Sequence, residues 1–274
     1  MDKRKNRMTI SYLLAILLTI FISTLIITTV TRLTIMSPQY ILKKLDQVNF
    51  YQETVNELNN QIQQETQSTG FPLEMFENYL DKDSTDSLIK NYFEEAFKTG
   101  TTTLDTSEFE NKLSNDINEY LESANIIINS EEQQAIATLK ENLINYYKTY
   151  LSFPYLSLII NIINSYNSYY PIIAGILLLL ILITSIILYR LYSHYRGRRR
   201  YFSYAISSSG LICFALPAII LIGKYVDKIS LSPKYFYDLV TTTINNFLFI
   251  YVVIGIILVI LGTLIAFIKF EKHN

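Results

Sequence analysis

The chain has 274 residues, half of them hydrophobic, and a formal net charge of −1. Its one cysteine, Cys213, excludes an intrachain disulfide. The near-neutral total hides a strong sorting of charge. Residues 36–170 carry twenty carboxylates against eight lysines and no arginine, which excludes a nucleic-acid reader built on that segment.

A basic tail, residues 1–7, opens the chain with Lys3, Arg4, Lys5 and Arg7. An apolar stretch, residues 8–35, follows it. This stretch is too long for a signal-peptide core and lacks a small-residue cleavage site, so a retained anchor is expected. Three more apolar stretches, 171–191, 202–225 and 247–270, meet the roughly 20 residues that a bilayer requires. Seven of the eight arginines lie in the N-terminal tail or near residues 190–200, and Arg32 alone lies elsewhere. Short basic segments stay in the cytoplasm. The expected topology therefore has both termini and an Arg-rich loop, 192–201, inside, in agreement with Lys269 and Lys272 near the C-terminus. Residues 36–170 and a shorter loop, 226–246, are then outside. Arg196, Arg198, Arg199 and Arg200 are topology determinants and contacts for anionic lipid headgroups.

The 36–170 segment reads as helical throughout. Ser37 caps a helix whose first residue is Pro38. Ile41, Leu45, Val48, Val55 and Ile62 recur at helical spacing, which predicts one helix of about 30 residues. Gly70-Phe71-Pro72 ends it. A short helix is expected from Pro72 to Leu80. Another is expected from Ser84 to Gly100, with Leu88, Tyr92, Phe93 and Phe97 on one face. Asp105 with Glu108 and Ser130 with Gln133 read as capping boxes of two further helices, ending near Ala124 and Leu151. Pro154 interrupts the last of these, and the second span starts at Pro171. No segment alternates with period two, so no sheet is expected. Tyr166, Tyr169 and Tyr170, like Tyr225, Tyr235 and Tyr237, read as belts at the membrane interface.

Two halves share a plan. Ser37-Pro38-Gln39-Tyr40 follows the first span, and Ser232-Pro233-Lys234-Tyr235 follows the third. Ile172-Ile173-Ala174-Gly175-Ile176 matches Val252-Val253-Ile254-Gly255-Ile256. A duplicated hairpin and a chance match in apolar sequence both account for this. Gly255, Gly262 and Ala266 share a face of the fourth span. Ser207, Gly210, Cys213 and Pro217 share a face of the third, where Pro217 introduces a kink. Such small residues mark helix contacts in lipid. Arg32, near the outer boundary, either snorkels to lipid phosphate or pairs with Asp227.

The expected fold class is an all-α membrane protein with four transmembrane helices and a helical extracytoplasmic domain between the first two. The order of span, helical bundle and returning span is similar to bacterial chemoreceptor sensor modules, in architecture alone. No signalling helix follows the second span.

The two histidines, His194 and His273, lie on the cytoplasmic side. The outer segment therefore has no residues for a His- or Cys-ligated zinc site or a His-dependent triad. Neighbouring acids, Glu94-Glu95 and Glu131-Glu132, read as solvated helix faces rather than glycosidase pairs. The spans carry no central Asp, Glu, Lys or His, which argues against proton coupling. No catalytic residue, cofactor or metal is expected. The expected partners are the bilayer and a protein of the membrane or envelope. The Asn-, Ile-, Lys- and Tyr-rich composition suggests a bacterial plasma membrane. An accessory or scaffold subunit of a cell-envelope complex is the expected function. A transporter or channel component, or a sensor acting through a separate cytoplasmic partner, is the alternative.

Overall fold

A computed structural model describes residues 2–152, 155–192 and 195–267, with the side chains of 2–4, 195 and 196 omitted. The expectations placed on Pro154, His194, Lys269, Lys272 and His273, and on the side chains of Arg4 and Arg196, lie outside these residues. The described residues are helical, with no strand among them. The helices are α1 (Asp2–Leu33), α2 (Pro38–Gln47), α3 (Phe50–Thr66), α4 (Lys82–Thr99), α5 (Ser107–Ser123), α6 (Ser130–Leu151), α7 (Leu156–Leu191), α8 (Tyr195–Ile222) and α9 (Lys234–Phe267). Four of the helical stretches are long and apolar enough to cross a membrane, which makes this a multi-pass membrane protein. The chain divides into two compact units, Leu45–Ile162 and the remainder.

In the membrane unit, contacts along the helices fix their directions. Thr19 meets Ala205, and Val30 meets Cys213, so α1 and α8 run the same way. Ser11 meets Tyr192, and Thr29 meets Tyr170, so α7 runs against α1. Ser203 meets Gly262, and Gly210 meets Gly255, so α9 runs against α8.

The α8–α9 seam is the tightest of these contacts. A Cβ placed on Gly255 would lie 2.7 Å from the Gly210 carbonyl oxygen and 2.7 Å from Phe214 Cβ. A Cβ on Gly210 would lie 2.8 Å from the Gly255 carbonyl oxygen. One on Gly262 would lie 2.7 Å from the Ser207 backbone nitrogen. No side chain fits in that space, and the missing atoms let the backbones touch. Ser203 adds a buried hydrogen bond of 2.7 Å to the Gly262 carbonyl. Ala266 is exposed, one turn beyond this seam. Gly175, the sequence counterpart of Gly255, has nothing within 4 Å of the same virtual atom. The two halves of the suspected repeat therefore use the aligned glycine differently.

Several helix boundaries differ from those expected. The 30-residue helix after Ser37 is two helices, because Asn49 adopts the left-handed conformation with φ 51°. Asn tolerates that region better than most residues, since its short polar side chain bonds locally. Ser37 does cap α2, its Oγ accepting from the Tyr40 N–H at 3.4 Å. Only the turn Leu73–Met75 is helical between Pro72 and Leu80. α7 begins at Leu156 and passes through Pro171, so the second span is the latter half of a 36-residue helix. α8 begins at Tyr195, so most of the Arg-rich segment is helical, as its good helix formers favour. α9 begins at Lys234 and takes up much of the 226–246 loop.

Of the two predicted capping boxes, the first does not form and the second is shifted. Asp105 accepts from the backbone and hydroxyl of Ser107, while Glu110 rather than Glu108 is held, by Thr106 at 2.6 Å. The second box lies one residue earlier. Asn129 Oδ1 accepts from the Glu131 and Glu132 N–H groups at 2.9 Å each, and Glu132 accepts from the Asn129 N–H at 2.8 Å.

The unit Leu45–Ile162 has its own apolar core. Val55, Leu58 and Ile62 of α3, Ile89 and Phe93 of α4, Leu113 and Ile117 of α5, and Leu143 and Leu151 of α6 are all nearly inaccessible. One amide pins the core. Asn59 accepts from the Leu80 N–H at 2.8 Å and donates to the Leu80 carbonyl at 3.1 Å, both buried. Gly100, with φ 80°, closes α4 in the left-handed conformation that glycine adopts without strain.

The seam yields a direct test. Gly255→Leu and Gly262→Leu should each destabilise the detergent-solubilised protein by about 1–3 kcal/mol or more, from overpacking. Ile256→Leu, at a residue 45% exposed, should cost less than about 1 kcal/mol. Thermal midpoints compare the three; equal values would show that the glycine face is not a helix contact.

Candidate functional site

One end of the membrane unit gathers cations and phenols. Arg7 comes from the first turns of α1, Tyr189 from the end of α7 and Tyr192 from just beyond it, and Arg198, Arg200, Tyr201 and Tyr204 from the start of α8. Ser11 Oγ is 3.1 Å from the Tyr192 hydroxyl, which donates to the Tyr201 hydroxyl at 3.2 Å. Tyr201 is buried, and its ring meets that of Tyr12 edge-on at 5.3 Å. The arginines surround this phenolic centre. Arg7 lies 4.9 Å from the Tyr192 ring, Arg198 3.7 Å from the Tyr189 ring and Arg200 5.4 Å from the Tyr204 ring. Arg198 Nε donates to the Tyr192 carbonyl at 2.5 Å, and Arg200 Nε to the Tyr204 hydroxyl at 2.7 Å. Guanidinium groups over ring faces gain a cation–π attraction that leaves their charge uncancelled. The sequence between Glu141 and Asp227 contains no carboxylate. Among the described side chains, this end of the unit therefore gathers arginines without a carboxylate beside them.

The opposite end of α1 is held by neutral hydrogen bonds. Tyr251 of α9 donates to the Ile27 carbonyl at 2.9 Å. A phenol has one proton, so Thr31, 3.2 Å away, donates to Tyr251. Tyr166 of α7 donates to the Thr28 carbonyl at 2.8 Å, Tyr170 shares a 2.9 Å bond with Thr29, and Asn167 donates to the Met36 carbonyl at 2.9 Å. Of the tyrosines expected to form a belt here, Tyr166 and Tyr170 therefore face α1, and Tyr169 is exposed. Sequence carried one signal for this: Tyr166 and Tyr170 are four residues apart and so share a helix face.

Arg32 and Asp227 are each engaged elsewhere. The Arg32 guanidinium lies 4.4 Å from the Tyr170 ring, and Asp227 accepts from Asn245 at 3.2 Å.

The unit Leu45–Ile162 has a cleft of about 180 Å³ lined by Asp81, Ser84, Glu108, Phe109, Lys112 and Tyr147 among others. Its polar groups serve the fold. Asp81 caps α4 by accepting from the Ser84 N–H at 2.9 Å, which holds its pKa below the usual carboxylate value. Lys112 donates to the Tyr79 carbonyl at 2.8 Å and lies 4.3 Å from that ring. Phe109 and Tyr147 stack at 4.2 Å, and burial pushes the Tyr147 phenol up to about 12. Glu94 and Glu95 sit on an exposed face of α4, and Glu132 is spent in its capping box. No group of three His, Cys, Asp or Glu side chains suited to a metal occurs among the described residues.

No family model, curated protein or solved structure matches this chain.

Two predictions test this reading. Tyr251→Phe removes a hydrogen bond that joins α9 to α1 and should cost about 1 kcal/mol, whereas Tyr169→Phe should leave the midpoint unchanged. The second concerns Asp86, whose Oδ1 is buried without a partner and whose pKa is raised, first by that burial. A raised folded-state pKa makes the ionised group destabilising above that pKa and neutral in effect below the unfolded value. Asp86→Asn should therefore raise the thermal midpoint at about pH 7 and lose that advantage near pH 3 to 4. An equal increment at both values would sink the argument.

Proposed function

We propose that this protein is a non-enzymatic accessory or scaffold subunit of a bacterial cell-envelope complex. It presents its acidic helical unit outside the plasma membrane to a protein partner. The observation that carries the reading is the separation of two chemistries in one chain. The unit Leu45–Ile162 has a water-soluble type of core and twenty carboxylates against six lysines. The membrane unit concentrates Arg7, Arg198 and Arg200 at one end of its helices. Retention of short basic segments in the cytoplasm supports an orientation with both termini inside. The same arginines then meet the anionic headgroups of the inner leaflet. The acidic surface is suited to a partner with a basic face, because complementary potential speeds encounter and sets register.

The orientation is checked with single cysteines in a Cys213→Ser background. Ser68→Cys on intact cells should react with an impermeant thiol reagent, and Asn6→Cys only after permeabilisation. The reverse pattern would overturn the topology. The partner is checked by crosslinked pull-down from intact membranes. Recovery of an envelope assembly supports the scaffold reading. Recovery of a kinase favours a sensor, and self-crosslinked oligomers alone favour a transporter or channel component.

A further inference from the structure

The turn between α5 and α6 displays apolar side chains to solvent on a backbone that is fixed on both sides. Ile127 is 96% exposed and Ile126 43% exposed, within the run Ile126-Ile127-Ile128. α5 ends in a Schellman arrangement. Asn125 is left-handed with φ 52°, Ile126 N–H donates to the Leu121 carbonyl at 3.0 Å, and Asn125 N–H to the Glu122 carbonyl at 3.1 Å. α6 starts in the Asn129–Glu132 capping box. Only Ile127 and Ile128 lie between the two caps. The turn therefore presents its isoleucines with little backbone freedom left to lose, which is what makes a short apolar segment effective in binding.

The charge around the tip selects the occupant. Between Lys112 and Lys140 the chain carries Asp116, Glu119, Glu122, Glu131 and Glu132 and no cation. Glu119, Glu122, Glu131 and Glu132 are exposed, on the two helix ends that flank the turn. An acidic collar is repelled by an anionic lipid surface and attracted by a basic rim. A large apolar side chain at the centre with charges at the edge is the arrangement of an interface anchor. We infer that the α5–α6 turn is the docking tip for the partner protein, with Ile127 and Ile126 entering an apolar pocket rimmed by lysine or arginine. This inference rests on the scaffold reading and locates its interface.

The test uses the full-length protein in intact cells, with a photoactivatable amino acid in place of Ser130 and a second one in place of Ser87 on α4 as a control. Ultraviolet irradiation should give a protein adduct from position 130. Its crosslinked peptide should contain apolar residues beside Lys or Arg. Ile126→Ser with Ile127→Ser should reduce that adduct about tenfold or more, the equivalent of losing one buried aliphatic side chain. Glu122→Lys with Glu131→Lys should also reduce it. Both pairs are surface changes, so an unchanged thermal midpoint is required alongside. Lipid adducts alone, or adducts between copies of this chain alone, would overturn the proposal, as would an adduct insensitive to both pairs. Adducts from position 87 without any from 130 would overturn the tip but leave the scaffold reading standing. Silence at both positions, together with an empty pull-down, would count against both.

Discussion

The contact of the Gly210 and Gly255 backbones organises the membrane unit. Lipid tails are as apolar as leucine, so burying an aliphatic face between helices gains little there. Close packing and hydrogen bonds must hold the helices instead. The glycines permit the first, and Ser203 supplies the second at the Gly262 carbonyl. With α8 and α9 fixed, Cys213 and Tyr251 form a surface against which Val30 of α1 packs. Tyr251 then reaches the Ile27 carbonyl, and Tyr166 and Tyr170 attach α7 to the same turn of α1. Each of the four long helices, α1, α7, α8 and α9, is thereby joined to another by a polar contact.

The unit Leu45–Ile162 follows the other solvent's rules. Its stability comes from removing Leu, Ile, Val and Phe side chains from water. Its polar contacts mostly terminate helices or pin turns. Asn59 is a buried exception, since it replaces both hydrogen bonds that the Leu80 backbone would otherwise make with water. Surface ion pairs, such as Lys90 with Asp46 at 3.2 Å and Lys148 with Glu110 at 3.4 Å, contribute little by comparison.

The sequence was most informative where one local property decides the outcome. Run length found the four spans, periodicity found the buried Leu45 of α2 and the buried Val55 and Ile62 of α3, and glycine found the end of α4. The spacing of Ser207, Gly210, Gly255 and Gly262 pointed to residues that the structure places at the α8–α9 seam. What escaped depends on competition between near neighbours or on distant partners. Asn129 and Ser130 are both good caps, and only the backbone geometry selects Asn129. The break at Asn49 interrupts an apolar period that continues on both sides of it. The inward roles of Tyr166 and Tyr251 need carbonyls of α1, more than a hundred residues away in the chain. The cationic end was legible as charge. Its tyrosine partners were not, because stacking depends on three helices meeting.

The length of α9 has a consequence of its own. At 34 residues it extends about 51 Å, well beyond the roughly 30 Å of a bilayer's hydrocarbon. The surplus is not shared between its ends. Residues 234–246 carry Asp238, three consecutive threonines and two asparagines, while 247–267 are almost wholly apolar. A single hydrogen-bonded rod thus passes through two solvents, and its peptide groups differ in their access to deuterium. Amides of the first third can exchange through local fraying, because water can replace each broken bond. In the remainder the same opening would strand a donor in hydrocarbon. The helix is uniform in geometry but divided in lability, and the division falls where its sequence turns apolar, near residue 247.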